Sequence, residues 1–94
     1  MSPMTNTFKP AEGVAVSADG EGIVLFHVRE GLLFRTKRIG ALIWRGIERE
    51  LPAESIAAEV SRKQDIPSGT AQEYTSRFVA ELRRHRLIDQ VAGP

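Results

Sequence analysis

The chain contains no cysteine in its 94 residues. That excludes a disulfide scaffold and any cysteine-ligated zinc or iron–sulfur centre. Histidine is also scarce: His27 and His85 are the only two. Neither has a cysteine or aspartate at the spacing that catalysis or metal binding needs, and no H-E-x-x-H, G-x-S-x-G or P-loop pattern is present. Gly20 and Gly22 belong to a turn rather than to a phosphate cradle, and Glu48 and Glu50 fall on different sides of one helix end. Long apolar runs are missing as well. The longest, Ile23–Phe26 and Ala41–Trp44, are far short of the roughly 20 residues of a membrane span. The opening M-S-P-M-T-N-T-F-K-P lacks the basic start and apolar core of a signal peptide. A cytoplasmic, non-enzymatic protein without cofactors is expected, one that acts by binding. Charge of one sign is lacking too. Lys9 against Glu12, Asp19 and Glu21 leaves residues 1–28 at −2, and twelve Lys/Arg against nine Asp/Glu leave residues 29–94 at +3, for a net +1. That balance is well below the basicity of a typical nucleic-acid binder.

What is present is an ordinary globular composition, 41% hydrophobic and 27% charged. The length suits one small domain, which buries roughly 60–65% of its unfolded surface. Residues 1–12, with two prolines and small polar residues, read as a flexible arm, residues 13–90 as the domain, and residues 91–94 as a flexible tail.

Within the domain the apolar period is first two and then 3.6. Val14–Ala18, Ile23–Val28 and Leu32–Arg35 read as strands. They are separated by Asp19-Gly20-Glu21-Gly22 and Arg29-Glu30-Gly31, where glycine tolerates the positive φ of tight turns. Three such strands in succession form an antiparallel meander. Ile39, Leu42, Ile43 and Ile47 then follow helical spacing, with Trp44 beside them and Thr36 as the expected N-cap. Pro52 fits the first turn of a second helix whose apolar face is Ile56, Ala57 and Val60. Ser68 is expected to cap a third, with Ala71, Tyr74 or Thr75, Phe78 and Leu82 as its stripe. The basic run Arg83–Arg86 suits that helix's C-terminal end. The fold class is α+β, winged helix-turn-helix-like: a three-stranded antiparallel sheet followed by three helices.

The run G-L-L-F-R-T-K-R-I-G-A-L-I-W, from Gly31 to Trp44, resembles the PqqD-like domains, the recognition elements of ribosomal-peptide modification pathways. Ile23–Phe26 corresponds to their apolar strand, Gly31 to the turn glycine, Phe34 to the aromatic, and Gly40 with Ile43-Trp44 to the start of the first helix. Glu54–Val60, Phe78–Leu82 and Arg86-Leu87-Ile88 match the later motifs, so the likeness spans about residues 13–88. Four positions depart from the family pattern. Thr36-Lys37 replaces Leu-Asn, His27 replaces an aspartate, Tyr74 replaces an acidic residue, and Arg86 replaces a glycine. With these departures the chain looks most like the free-standing leader-binding proteins of lasso peptide systems.

The resemblance implies a protein that binds the leader of a precursor peptide. It would present that leader to a transglutaminase-like, leader-cleaving cysteine protease and to the macrolactam-forming cyclase. It implies a peptide lying between the third strand and the third helix. The peptide-binding residues expected on this basis are Leu32, Leu33, Phe34, Arg35, Thr36 and Lys37 on the strand side, and Tyr74, Arg77, Phe78 and Glu81 on the helix. A free strand edge supports β-augmentation, in which backbone bonds give affinity and alternate side chains give specificity. The rival reading is a winged-helix DNA-binding protein that reads with its third helix, but Glu73 and Glu81 lie among that helix's arginines. Self-pairing through the open edge is a third reading.

Overall fold

Two short turns organise the first half of the chain. Gly20 (φ 64°) and Gly31 (φ 63°) adopt the left-handed backbone that those turns require. They fold three strands into one antiparallel sheet: β2 (Val14–Asp19), β3 (Gly22–His27) and β4 (Leu32–Thr36), in that spatial order. Three helices follow, α1 (Arg38–Glu48), α2 (Ala53–Gln64) and α3 (Ser68–Arg84). This is the α+β, winged-helix-like order expected from the change of period. The coordinates are a computed structural model that describes residues 7–91.

One face of the sheet carries Ile23, Leu25 and His27, all buried against the helices. Ile43, Trp44 and Ile47 of α1, Ile56 and Val60 of α2, and Ala71, Val79 and Leu82 of α3 complete the core. The stripe of α1 is therefore centred between Ile43 and Trp44, and Leu42 is only half-buried. On α3 the choice between Tyr74 and Thr75 goes to Thr75. Its hydroxyl donates to the Ala71 carbonyl at 2.8 Å, which lets a polar side chain sit in the core. Tyr74 is 45% exposed. His27 is buried, and its Nδ1 accepts from the Glu30 N–H of the β3–β4 turn at 3.4 Å.

Other local expectations need correction. Phe8–Pro10, assigned to the arm, form strand β1 and pair antiparallel with β5 (Ile88–Gln90), an element the sequence did not disclose. Phe8 is only 5% exposed, with the Arg83 guanidinium 5.6 Å above its ring. Val91, the first residue of the expected tail, donates its N–H to Thr7 at 2.9 Å. Residues 1–6 and 92–94 lie outside the described residues. Thr36 does not cap α1. It ends β4, Lys37 takes the N-cap position, and no side chain there bonds the helix. Likewise Pro67, not Ser68, is the N-cap of α3.

The C-terminal end of α3 explains one sequence departure. Leu87 N–H bonds Leu82 O at 2.9 Å and Arg86 N–H bonds Arg83 O at 3.0 Å. This is a Schellman termination whose left-handed residue is Arg86 (φ 60°), a place that usually favours glycine.

Candidate functional site

The position of β4 at the sheet border sets which of its backbone groups are free. The Val28 N–H donates to the Gly13 carbonyl at 3.0 Å. Val14 faces His27 in the register, so Gly13 faces Val28. Val28 thus belongs to a bonded pair, and alternation turns Val28, Phe26 and Val24 toward β2 and His27, Leu25 and Ile23 toward β4. The partners of the latter three are Leu32, Phe34 and Thr36. Those residues direct their N–H and C=O groups into the sheet. Leu33 and Arg35 direct theirs away from it, and among the described residues no strand pairs on that side.

Side chains alternate in the other direction. Leu32, Phe34 and Thr36 are half-buried on the helix side, whereas Leu33 (57% exposed) and Arg35 lie on the open side of the sheet. Phe34 bridges to α3. Its ring meets Phe78 edge-on at 5.8 Å and 71°, and tilts against His85 at 5.8 Å. On α3, Tyr74, Phe78, Glu81 and His85 follow the spacing of a single helix face. The Glu81 carboxylate lies 3.5 Å from His85 Nε2 and 3.8 Å from Arg84.

A cleft of about 920 Å³ opens where the end of β4, the first turns of α1 and the first half of α3 converge. Of the residues expected at the site, Arg35, Thr36, Lys37, Tyr74 and Phe78 line it. Leu32 lines a separate hollow of about 180 Å³ at the opposite end, with Glu30, Arg84, His85 and Arg86. Phe34 and Glu81 do not line the cleft: Phe34 touches one of its lining residues, Phe78, and Glu81 lies farther along α3. Leu33 and Arg77 are exposed and do not line the cleft.

The sequence reading missed the contribution of α1. Ile39, Gly40 and Ile43 line the cleft, as do Gln64 of α2 and the hairpin residues Asp19 and Glu21. Gly40 was the available signal. A Cβ there would run into the Thr36 side chain and come within 2.9 Å of Phe78 Cε1. Glycine at a buried helical position therefore lets α1 press against both walls.

The cleft mixes charge over an apolar base. Arg35 Nε lies 3.7 Å from Asp19, and Arg38 forms an ion pair and hydrogen bond with Glu21. The hydrogen bond to Glu21, and then its negative charge, raise the Arg38 pKa. Lys37 lines the same rim and has no ion-pair partner among the described residues. No nucleophile stands beside a base in this arrangement. It offers backbone groups, aromatic surface and cations, which are the means of recognising an extended chain.

The family model of coenzyme PQQ synthesis protein D (PqqD) matches residues 22–88. This chain belongs to the PqqD family. The matched PqqD segment runs from the first residue of β3 to the first of β5. The fold is also similar to that of TbiB1 in complex with the TbiA(beta) leader peptide. That structure has a TM-score of 0.81 and 21% identity over 90% of this chain and 99% of the other. A second similar structure is lasso peptide synthetase B1 complexed with the leader peptide, with a TM-score of 0.79 and 17% identity over 87% and 96% of the two chains. At such identities the likeness is one of fold. No curated protein matches this PqqD-family chain in sequence. Among the described residues no helix is long and apolar enough to cross a membrane.

Proposed function

We propose that this protein is a non-catalytic recognition element that binds the leader of a ribosomally made precursor, in lasso peptide biosynthesis. The observation that carries the reading is the free edge of β4. Among the described residues no strand pairs with the backbone groups of Leu33 and Arg35 there, beside a cleft walled by Tyr74 and Phe78. An extended peptide would add as a fourth strand to the sheet. Its backbone would bond Leu33 and Arg35, and its alternate side chains would face Leu32, Phe34 and Thr36. Thr36, Lys37, Tyr74, Arg77, Phe78 and Glu81 would form the rest of the groove.

Family membership supports this reading, as does the shared fold with two proteins each solved with a leader peptide. The bound leader would be handed, in the cytoplasm, to a leader-cleaving cysteine protease and a macrolactam-forming cyclase. The DNA-binding alternative has less support. Two of the three cations on the groove's rim, Arg35 and Arg38, face Asp19 and Glu21, and the wall beyond them is apolar, whereas phosphate-backbone affinity needs several free, well-placed cations.

The test is calorimetry with the leader peptide of a precursor encoded beside this protein's gene. One-to-one binding is expected. Absence of binding to that leader, by calorimetry and by fluorescence anisotropy, would overturn the proposal.

A further inference from the structure

The rim of the cleft carries three cations, Arg35, Lys37 and Arg38, against two carboxylates, Asp19 and Glu21. Arg38 is committed to Glu21. Arg35 meets Asp19 only at 3.7 Å, with both side chains more than half exposed, which is a loose pair that a competing carboxylate can displace. Lys37 has no acidic partner among the described residues. All the uncompensated charge on this rim is positive, and it sits at the C-terminal end of the open β4 edge.

A strand added to that edge would place its side chains alternately on the two faces of the sheet. On the helix side they would meet Phe34, Phe78 and Tyr74, which suit apolar groups. On the open side one of them would lie across from Arg35 and next to Lys37. Directly opposed opposite charges stabilise strand pairs, and like charges destabilise them.

We infer that the groove selects an acidic peptide, one with Asp or Glu at the open-face position beside Arg35 and Lys37, flanked by apolar residues that face Phe34 and Phe78. This rests on the peptide-binding reading and specifies the chemistry of the ligand. The acidic group is held in two ways, by the Lys37 ammonium and by the Arg35 guanidinium released from Asp19. A lysine or arginine at the same place in the peptide faces an uncompensated positive rim and is rejected.

The probe is a displayed library of random peptides of about ten residues, the length of a long strand, selected on the immobilised full chain. Clones are then tested on Leu33→Pro, which removes an outward N–H from the β4 edge, and, if circular dichroism finds that variant unfolded, by whether the bound peptide protects the Leu33 and Arg35 amides of the unaltered chain from hydrogen exchange. The expected result is that edge-dependent clones carry Asp or Glu at a fixed offset from alternating apolar residues. Their binding should weaken about tenfold as ionic strength rises from about 0.1 M to about 1 M, where the screening length falls from about 10 Å to about 3 Å. The double variant Arg35→Glu, Lys37→Glu should bind these clones at least about tenfold more weakly and select Lys or Arg at that offset. Edge-dependent clones without an acidic excess, or with unchanged affinity for the double variant, would overturn this inference and leave the peptide-binding reading intact. If no clone depends on the β4 edge, both fall together.

Discussion

Proline placed along β4 separates the folding role of the strand from its binding role. The bonding phase makes the two classes specific: Leu32 and Phe34 direct their N–H groups to β3, Leu33 and Arg35 direct theirs outward. Proline at Phe34 deletes a ladder bond and leaves the Leu25 carbonyl of β3 without its donor, at a cost of about 1–3 kcal/mol; at Leu32 it deletes the bond to His27, whose carbonyl keeps the Gly31 N–H at 2.8 Å, so the cost there is at the low end. Either proline also removes a half-buried apolar side chain, worth about 1.5–3 kcal/mol when fully buried. With half of that value for a half-buried side chain, the combined loss is about 2–4.5 kcal/mol, a large share of the roughly 5–14 kcal/mol that holds a domain of this length together. At about 4–8 °C per kcal/mol, Leu32→Pro and Phe34→Pro should lower Tm by about 8 °C or more, or abolish folding. Proline at Leu33 or Arg35 removes a donor that only solvent uses in the free protein, and edge strands tolerate this. These two variants should stay folded. In the complex, however, a carbonyl of the added strand loses its partner, at about 1–3 kcal/mol, so affinity should fall about 5- to 150-fold. Circular dichroism melting combined with fluorescence anisotropy of a labelled leader peptide measures both quantities on each variant. Folded Leu33→Pro and Arg35→Pro that bind the leader at full strength would refute strand addition at β4.

Core and groove should also separate by side-chain truncation. Ile47→Ala, at a fully buried α1 position, should cost about 2–5 kcal/mol in chemical denaturation. Tyr74→Ala should weaken leader binding about tenfold while moving Tm by no more than about 4 °C. Gly40→Ala should destabilise the fold by about 1–3 kcal/mol, because its methyl would meet Thr36 and Phe78. It should also weaken peptide binding, since α1 can then no longer close the cleft. Arg86→Gly should raise stability by about 1 kcal/mol in the same denaturation assay, by relieving a left-handed residue at the end of α3.

Much of the architecture is written locally. The three strands of the meander, the turns at Gly20 and Gly31 and the three helices each have a period or a turn residue that acts over a few neighbours. Their type and order were therefore legible without any packing. Phe8–Pro10 and Ile88–Gln90 were not. Strands this short, one of them ending in proline, have no periodicity to detect, and they form only because each finds the other from opposite ends of the chain. Alternation in Leu32–Thr36 was equally visible, but it gives two indistinguishable phases. The bond between Val28 and Gly13, two strands away, decides that Leu33 and Arg35 face outward. Tyr74 and Thr75 both fit the stripe of α3. Packing put Thr75 inside, where it can bond Ala71, and left Tyr74 on the wall of the cleft. The sequence by itself determined the kind and order of the three meander strands and the three helices, and with them an open third strand, because these follow from short-range sterics and apolar periodicity. Tertiary structure alone decided which backbone groups of that strand are free and that α1 supplies part of the cleft. Both depend on contacts between residues far apart in the chain, which no local pattern encodes.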